Sequence, residues 1–364
     1  MPRKVKYDPN FVLTPEIRAY IEKFGYGKAS EEYGQSYQRL YYLYHKEEKP
    51  EEEVAHPPPF HIDSLPDDEP SAEELIQRAL DTWRRKKIHH DASSIIPVQC
   101  KADGPFGIAF VGDPHIDDMG CNWEALLHDL KMMRDANMMG ICVGDITNNW
   151  VGRLMKKYAD QETTRKQAIK LIEWFFKGCG VHWLAIIGGN HDIWNTDGGD
   201  VNQFMFRQEA GVYKNHGVRL KIQMPNNINF KVNCRHDYTG HSQWNEAHAM
   251  SKAARFGDDD VYVAGHRHNS AYQMIKRHET GRIAHAVRVS GYKEIDDFAE
   301  QKGFRDHTIF RSMVFIVDPT QTDPLRFCKP VFDMEEAKEE IIILGVKTTH
   351  LVGWIGIMII GIMT

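Results

Sequence analysis

Four short polar segments decide how this chain folds: GDPH (112–115), GDITN (144–148), GGNHD (188–192) and GHRH (265–268). Each follows directly on an apolar run that is typical of a buried strand. These runs cover residues 108–111, 139–143, 183–187 and 261–264. The loops at the carboxyl ends of the strands in an open α/β sheet converge on one crevice. We therefore expect the polar side chains of the four segments to meet there.

The residue types in these segments favour a metal site. Their carboxylates, imidazoles and amide combine hard oxygen with borderline nitrogen ligands, a donor set that suits two metal ions. A single Asp-x-His is common by chance, and a single histidine is usually structural. Here four such segments end four predicted strands, and His236 ends a fifth. This joint occurrence indicates a shared metal site rather than separate structural roles.

Composition sets the broad class of the protein. The 364 residues, 42% hydrophobic and 26% charged, are typical of a globular chain with one large α/β domain plus appendages, or with two domains. A formal net charge of −6 gives no overall attraction to nucleic acid, although local basic patches remain compatible with it. The six scattered cysteines form no C-x-x-C pair, which predicts reduced thiols in an intracellular protein and argues against cysteine-bound zinc. No apolar stretch follows the basic residues 1–6, so no secretory signal is expected.

The order of predicted elements indicates the fold. From residue 106, strands alternate with helices near 122–133 and 163–177, which predicts parallel strands with right-handed crossovers. Residues 218–222 and 228–234 then alternate apolar with polar around a Pro-Asn-Asn turn, the pattern of a hairpin. Strands near 271–275, 282–289 and 312–317 are expected to complete a second sheet. The predicted fold class is α/β: a four-layer α/β/β/α sandwich of two mixed sheets, with an N-terminal helical module.

The chain divides into five predicted regions. They are a small helical module (1–46), an acidic Pro-rich linker (47–70), a helix with a lead-in segment (71–105), the catalytic-looking domain (106–333) and a tail with an apolar end (334–364). Short helices and glycine turns in 13–46 have the outline of a helix-turn-helix, with Gln35, Ser36, Gln38 and Arg39 on the last helix. Any three-helix packing unit gives this outline, so a docking or oligomerisation module is favoured over DNA contact.

Two further stretches have alternative interpretations. The helix near 71–88 carries an apolar face and ends in Arg-Arg-Lys-Lys (84–87), which suits the helix dipole better than it argues for a nucleic-acid patch. Residues 351–363 are wholly apolar or glycine, yet too short as a helix to cross a hydrocarbon core of about 30 Å. Core packing, a partner contact or an atypical chain end is therefore favoured over a membrane anchor.

The ordered set D-x-H, G-D-x-x-N, G-N-H-D, a strand-end histidine and G-H-x-H resembles the signature of calcineurin-like metallophosphoesterases, over roughly 106–318. The resemblance implies the metallophosphoesterase fold and two divalent ions. It implies the following roles: Asp113, His115 and His268 for the first ion, Asp145 as a bridge, and Asn190, His236 and His266 for the second. It also implies that His191 assists the leaving group, so that Asp145 and His191 are the expected catalytic residues.

Four assignments stay open or subordinate at this point. His241 lies five residues after His236 and is an alternative ligand, although His236 ends the alternating strand. Asp192 either orients His191 or turns the loop. Asn148 is expected to support the site by hydrogen bonding, and Arg153 is a less favoured phosphate clamp.

Departures from the family pattern narrow the activity. In the protein phosphatases of the superfamily that the segments resemble, the second motif continues as G-D-x-x-D-R-G. This chain has Asn-Asn-Trp at 148–150 instead, which disfavours protein phosphatase activity. The D-x-H, G-N-H-D and G-H-x-H motifs resemble those of phosphodiesterases and DNA-repair nucleases. A helical module before the esterase domain resembles the organisation of phage-encoded members. We expect a dinuclear metal-dependent phosphodiesterase, with a DNA or RNA nuclease mildly favoured. A small-molecule phosphomonoesterase and a DNA-binding or virion-associated protein with a vestigial site are the alternatives.

The expected cofactors are two divalent ions, with Mn²⁺ favoured and Zn, Fe or Ni also compatible with this donor set. The expected partner is a phosphate ester, with nucleic acid one candidate. The sequence predicts no oligomeric state.

Overall fold

A computed structural model describes residues 10–46, 68–102, 104–194, 201–206, 211–295 and 308–344. The chain forms two compact units, Met1–Ala72 and Glu73–Thr364. The expected linker up to residue 67 and the apolar end 351–363 lie outside the described residues.

Among its described residues, the smaller unit contains two helices, α1 (Pro15–Tyr33) and α2 (Tyr37–His45). The Thr14 side chain caps α1, and Gly25 at φ 82° interrupts it. Ile17, Ile21, Ala29 and Leu40 form a small core. Of the four polar residues on the expected recognition helix, Gln35 is buried and Ser36 caps α2 by accepting from the Arg39 N–H. Two of the four therefore serve the unit's own structure.

The larger unit is built from eight helices and twelve strands within the described residues. The helices are α3 (Ala72–Ala92), α4 (Trp123–Asp135), α5 (Arg165–Glu173), α6 (Asn190–Ile193), α7 (Val201–Phe206), α8 (His248–Phe256), α9 (Pro324–Phe327) and α10 (Met334–Ile343). A 3₁₀ helix covers Gly152–Ala159, and a π-helical turn, Trp174–Gly178, extends α5.

The strands are β1 (Ile96–Gln99), β2 (Phe106–Val111), β3 (Met139–Cys142), β4 (His182–Gly188), β5 (Val212–Asn215), β6 (Gly217–Gln223), β7 (Asn229–Arg235), β8 (Val261–Ala264), β9 (Ala271–Lys276), β10 (Ile283–Arg288), β11 (Met313–Val317) and β12 (Cys328–Val331).

Both sheets are mixed and six-stranded. The first has the order β12-β11-β2-β3-β4-β5, in which β2 to β5 are parallel and β11 is antiparallel to both neighbours. The second has the order β1-β6-β7-β8-β10-β9, with antiparallel pairs β6–β7 and β10–β9. The predicted fold class, a four-layer α/β/β/α sandwich, is confirmed.

Three apolar layers hold the sandwich together. Side chains such as Phe110 and Phe230 fill the space between the two sheets. The outer face of the first sheet packs on helices α4 and α10 and on the π-helical turn, through residues such as Leu130 and Ile341. Helix α8 covers the second sheet with Met250 and Ala254. The carboxyl ends of β2, β3, β4, β7 and β8 are thus fixed relative to one another.

Three elements differ from the sequence-based expectation. Strand β11, expected in the second sheet, pairs with β2 in the first. All five of its residues are buried, so its apolar pattern fits an inner position of either sheet. Strand β1 lies in the expected lead-in segment and joins the second sheet beside β6. Helix α10 lies in the expected tail, yet its Met334, Ala337 and Ile341 are part of the core.

Helix α3 forms where a helix is expected, and its apolar face is exposed. Leu75, Leu80 and Trp83 have exposures of 52%, 42% and 60%, and no residue of α3 is buried. Among the helices of the described ranges, none combines the length and apolar character that a membrane span requires. All six cysteines are free thiols, as expected.

Candidate metal centre

The backbone of the polar segments is strained where the side chains converge. His115, Asp145, His266 and His268 have φ values of 40°, 49°, 69° and 49°, in the left-handed region that non-glycine residues seldom adopt. Such residues persist only where the surrounding structure over-determines them, and they cluster at functional sites. The glycines permit the approach: a Cβ at Gly189 would collide with Asp145 Oδ1.

One group of donors lies around His236. Asp145, His236 and His266 each offer a ligand atom within 4.8 Å of the other two. His236 Nε2 is 3.2 Å from Asp145 Oδ2 and 3.1 Å from His266 Nδ1. The inward-facing atom of the Asn190 amide is 2.8 Å from both ring nitrogens. A carboxylate, two imidazoles and an amide thus converge on one point, which suits a divalent ion.

A second group of donors lies around Asp113. His268 Nε2 is 3.7 Å from Asp113 Oδ2, and the rings of His115 and His268 are 5.1 Å apart. Asp113 Oδ1 and His115 Nε2 are buried and have no hydrogen-bond partner among the described residues. A buried polar atom without a hydrogen bond costs free energy of folding. The presence of two such atoms here indicates that a cation binds beside them.

Asp145 lies between the two groups. Its Oδ2 is 3.2 Å from His236 Nε2 on one side and 4.0 Å from His115 Nε2 on the other. Its Oδ1 accepts from the His191 backbone N–H at 2.9 Å, which fixes the carboxylate. The structure therefore brings together all seven side chains expected as ligands, with Asp145 in the position of a shared ligand.

The electrostatics of the centre follow from burial and close charges. Burial raises the pKa of Asp113 well above its ordinary value. Burial also opposes ionisation of Asp145, but the charge and hydrogen bond of His236 outweigh it and hold the Asp145 pKa well below its usual range. Burial lowers the pKa of His236, but the charge and hydrogen bond of Asp145 outweigh burial and raise this pKa to about 10. In the metal-free protein at neutral pH, His236 thus carries the proton that a cation would replace.

Asn148 orients two histidines by accepting a hydrogen bond from each. Its side-chain Oδ1 lies 2.9 Å from His115 Nδ1, and its backbone oxygen lies 2.6 Å from His191 Nδ1. Both oxygens only accept, so each histidine carries its proton on Nδ1 and presents Nε2 without one when neutral. For His115 this is the tautomer of a metal ligand, and for His191 it leaves Nε2 available for proton transfer.

Asp192 holds the third loop. Its Oδ1 accepts from the Ile146 N–H at 3.1 Å and from Asn202 Nδ2 at 3.0 Å, and its Oδ2 accepts from the Gly189 N–H at 2.9 Å. Since His191 Nδ1 is bonded to Asn148, these contacts favour the loop-turning role of Asp192 over an orienting one. Burial, first, and the nearby Asp145 charge raise the Asp192 pKa to about 7.

The two less favoured sequence candidates lie elsewhere. His241 Nε2 pairs with Asp237 Oδ2 at 3.2 Å, whereas His236 lies within the donor cluster. Arg153 is an exposed residue of the 3₁₀ helix. Asn149 stands where the G-D-x-x-D-R-G pattern has its arginine. Its Nδ2 donates to the backbone oxygens of His191 and Trp194.

Sequence reasoning missed a buried arginine that supports the fourth segment. Arg288, at the end of β10, is 1% exposed. Its Nη1 donates to the Gly265 backbone oxygen at 2.6 Å and lies 3.5 Å from Asp237 Oδ1, and its Nε donates to the Glu246 oxygen at 3.2 Å. The one local signal was a charged residue near the end of a mostly apolar predicted strand. Arg288 thereby fixes the residues that flank His266 and His236.

Replacing Arg288 by methionine is expected to lower the free energy of unfolding of the metal-free protein by about 2–4 kcal/mol. Each buried acceptor left without its donor costs about 1–3 kcal/mol. Chemical denaturation measures the change, with Arg326→Met, at an exposed position, as the matched control. Equal stability of the two variants would contradict a supporting role for Arg288.

No family model matches this sequence, and no curated protein matches it. Solved structures with a similar arrangement include an archaeal phosphodiesterase (14% identity, TM-score 0.33, covering 62% of this chain and 99% of that chain). They also include Vps29 from Entamoeba histolytica complexed with Zn²⁺ (12%, 0.31, 63% and 100%) and GAP50, the anchor in the inner membrane complex of Plasmodium (8%, 0.30, 66% and 95%). At these identities and TM-scores the likenesses do not bear on the activity of this chain.

Proposed function

We propose that this protein is a metal-dependent phosphodiesterase that uses two divalent ions. The observation that carries the proposal is the convergence of seven donor side chains in two groups that share Asp145. The buried, unsatisfied Asp113 Oδ1 and His115 Nε2 support it independently. Asp113, His115 and His268 would hold one ion, Asn190, His236 and His266 the other, and Asp145 both.

When bound, two divalent ions supply Lewis-acid stabilisation of a phosphoryl transition state and a nucleophilic water at neutral pH. The chain contributes the geometry. Asp145 is fixed by the His191 N–H, Asp113 Oδ2 by the His266 N–H at 2.5 Å, and His236 Nδ1 by the Val143 oxygen at 3.0 Å. Ligands held in this way need little rearrangement, which is the basis of preorganised electrostatic catalysis.

His191 is proposed as the acid that protonates the leaving oxygen. Its Nδ1 is held by the Asn148 carbonyl, so proton transfer takes place at Nε2. Burial lowers the pKa of His191, and the charges of Asp145 and of a bound phosphate ester act in the opposite direction. The rings of Trp150 and Trp194, with centroids 5.3 Å and 4.3 Å from that of His191, restrict its orientation.

We propose a diester rather than a monoester because the polar segments resemble those of phosphodiesterases. Lys293 acts electrostatically on both His115 and His191, and it is paired with Asp118 at 3.0 Å. Within the diesters we propose nucleic acid as the substrate class, on the resemblance of the polar segments to nucleases.

The proposal is tested with Mn²⁺-loaded protein on bis(p-nitrophenyl) phosphate and p-nitrophenyl phosphate, before and after chelation. We expect the diester to be hydrolysed faster and both activities to vanish with the metal. DNA, RNA and cyclic nucleotides in the same assay then define the substrate class. Faster monoester hydrolysis would replace the diester assignment, and a protein that binds no metal would indicate a vestigial site.

Metal binding is expected to release at least one proton at pH 8. The pKa of His236 is about 10 in the metal-free protein, so His236 is protonated below that pH, whereas a ligand imidazole must be neutral. The metal affinity should therefore rise by about one order of magnitude per pH unit from pH 7 to 9. Calorimetry in two buffers of different ionisation enthalpy counts the protons. An affinity that does not change with pH would contradict this account of His236.

A further inference from the structure

A lysine outside the donor set, whose side chain is mostly covered, is linked to the site by short contacts. Lys293 follows β10, and its backbone forms an isolated bridge with Cys121. Its side chain is 9% exposed, and its Nζ lies 3.0 Å from Asp118 Oδ2. The ammonium also lies 5.8 Å from the centroid of the Trp150 ring, which contacts His191.

Asp118 contacts both Lys293 and Asn148. Asp118 Oδ2 accepts from Asn148 Nδ2 at 2.6 Å, and Asp118 Oδ1 accepts from the Gly120 N–H at 2.8 Å. Holding Nδ2 of the amide fixes the direction of Oδ1, because the two atoms share one plane. Oδ1 is the atom that accepts from His115 Nδ1. The backbone oxygen of the same residue accepts from His191 Nδ1.

We propose that Lys293 is a positioning residue that sets the tautomer of His115 and the orientation of His191, acting through Asp118 and Asn148. The Asp118 carboxylate is a strong acceptor, and the Lys293 ammonium holds it beside the Asn148 amide nitrogen, which therefore stays turned toward Asp118. In the opposite amide orientation, His115 would face a donor at Nδ1 and would move its proton to Nε2. His115 would then lose the lone pair that a metal ion needs.

The inference rests on the proposed function only for its consequence in catalysis, so its first test uses metal-free protein. Ring ¹⁵N spectra report the tautomer of His115, whose signal is assigned by its loss in His115→Gln. We expect wild-type protein to show the Nδ1–H form and Lys293→Met to shift the signal toward the Nε2–H form. Lys293→Arg, which keeps the charge, should restore the wild-type signal.

The second test measures metal binding by calorimetry. Lys293→Met and Asp118→Asn should each weaken one of two binding events by about 10–100-fold, the usual effect of losing a residue that orients a ligand. The other event, at Asp145, His236 and His266, should be unchanged. The double variant should be no weaker than either single variant, because both act along one path. Lys131→Met, in an exposed pair with Asp135, is the matched control.

Three results would overturn the inference. One is a wild-type His115 tautomer in Lys293→Met. Another is equal weakening of both binding events together with a lower melting temperature, which would indicate a general structural role. The third is a higher KM for the diester with unchanged tautomer and metal affinity, which would make Lys293 a substrate contact. A wild-type protein that binds metal and shows the expected tautomers but hydrolyses no ester would refute the proposed function and leave the inference supported.

Discussion

Replacing Asp145 by asparagine is expected to lower diester hydrolysis by about 1,000-fold or more. Asp145 is the side chain that lies between the two donor groups, 3.2 Å from His236 Nε2 and 4.0 Å from His115 Nε2. Loss of a shared metal ion removes several kcal/mol of transition-state stabilisation, and about 1.4 kcal/mol corresponds to a factor of ten in rate. The amide cannot supply the negative charge that two cations need.

This loss must come from metal binding and not from unfolding. The Asp145→Asn variant removes the partner of His236, so it should melt below metal-free wild type but stay folded at the assay temperature, and it should lose most of the rise that Mn²⁺ produces in the wild type. Asp135→Asn, at a surface carboxylate paired with Lys131 and Lys338, is the control and should keep full activity. Wild-type rates in Asp145→Asn would contradict a two-metal mechanism.

Replacing His191 by asparagine is expected to lower kcat by about 100–10,000-fold, the usual contribution of a positioned acid. Metal content and KM should change little, because His191 is not a member of either donor group. The size of the loss should depend on the leaving group. A nitrophenolate departs readily without a proton, so its loss should be small, whereas an alkoxide such as a nucleoside hydroxyl needs the acid.

The comparison of two diesters with different leaving groups therefore separates an acid from a residue that only shapes the site. His278→Asn, at an exposed turn, provides the matched histidine control. An equal loss on both diesters would contradict the assignment of His191 as the acid. Loss of bound metal in His191→Asn would instead make it a ligand.

The donor residues were predictable from the sequence because each signal is local. A glycine, a polar residue and a preceding apolar run suffice to place a side chain at a strand end, and parallel strand ends meet at one edge. His236 was preferred over His241 because it ends an alternating strand, and the structure places it in the donor cluster. The fold class was predictable on the same basis, from the alternation of strands and helices.

The residues behind the donors were not predictable, because they come from distant parts of the chain. Lys293 and Asp118 are far apart in sequence, and a lysine or arginine in a sequence is usually exposed. The loop after β10 packs against the first loop, and this long-range contact covers most of the Lys293 side chain. Arg288 ends a mostly apolar strand, but nothing local shows that it donates to the Gly265 carbonyl.

Two further features could not be predicted from the sequence, for a physical reason: the sheet to which a strand belongs and the burial of a helix. A strand with apolar residues at every position, as in β11, fits inside either sheet, and its partner depends on the path of the chain. Helix α3 has an apolar spacing typical of a packed helix, yet Leu80 and Trp83 are exposed. Periodicity predicts which face can be buried, and other elements decide whether it is.

The most direct test of the central claim is a Mn²⁺ titration of metal-free protein in which bound metal and diester hydrolysis are measured in the same samples. The two donor groups predict two equivalents bound per chain, with hydrolysis rising only as the second site fills and disappearing on chelation. Full hydrolysis with one equivalent, or hydrolysis that survives chelation, would contradict the account.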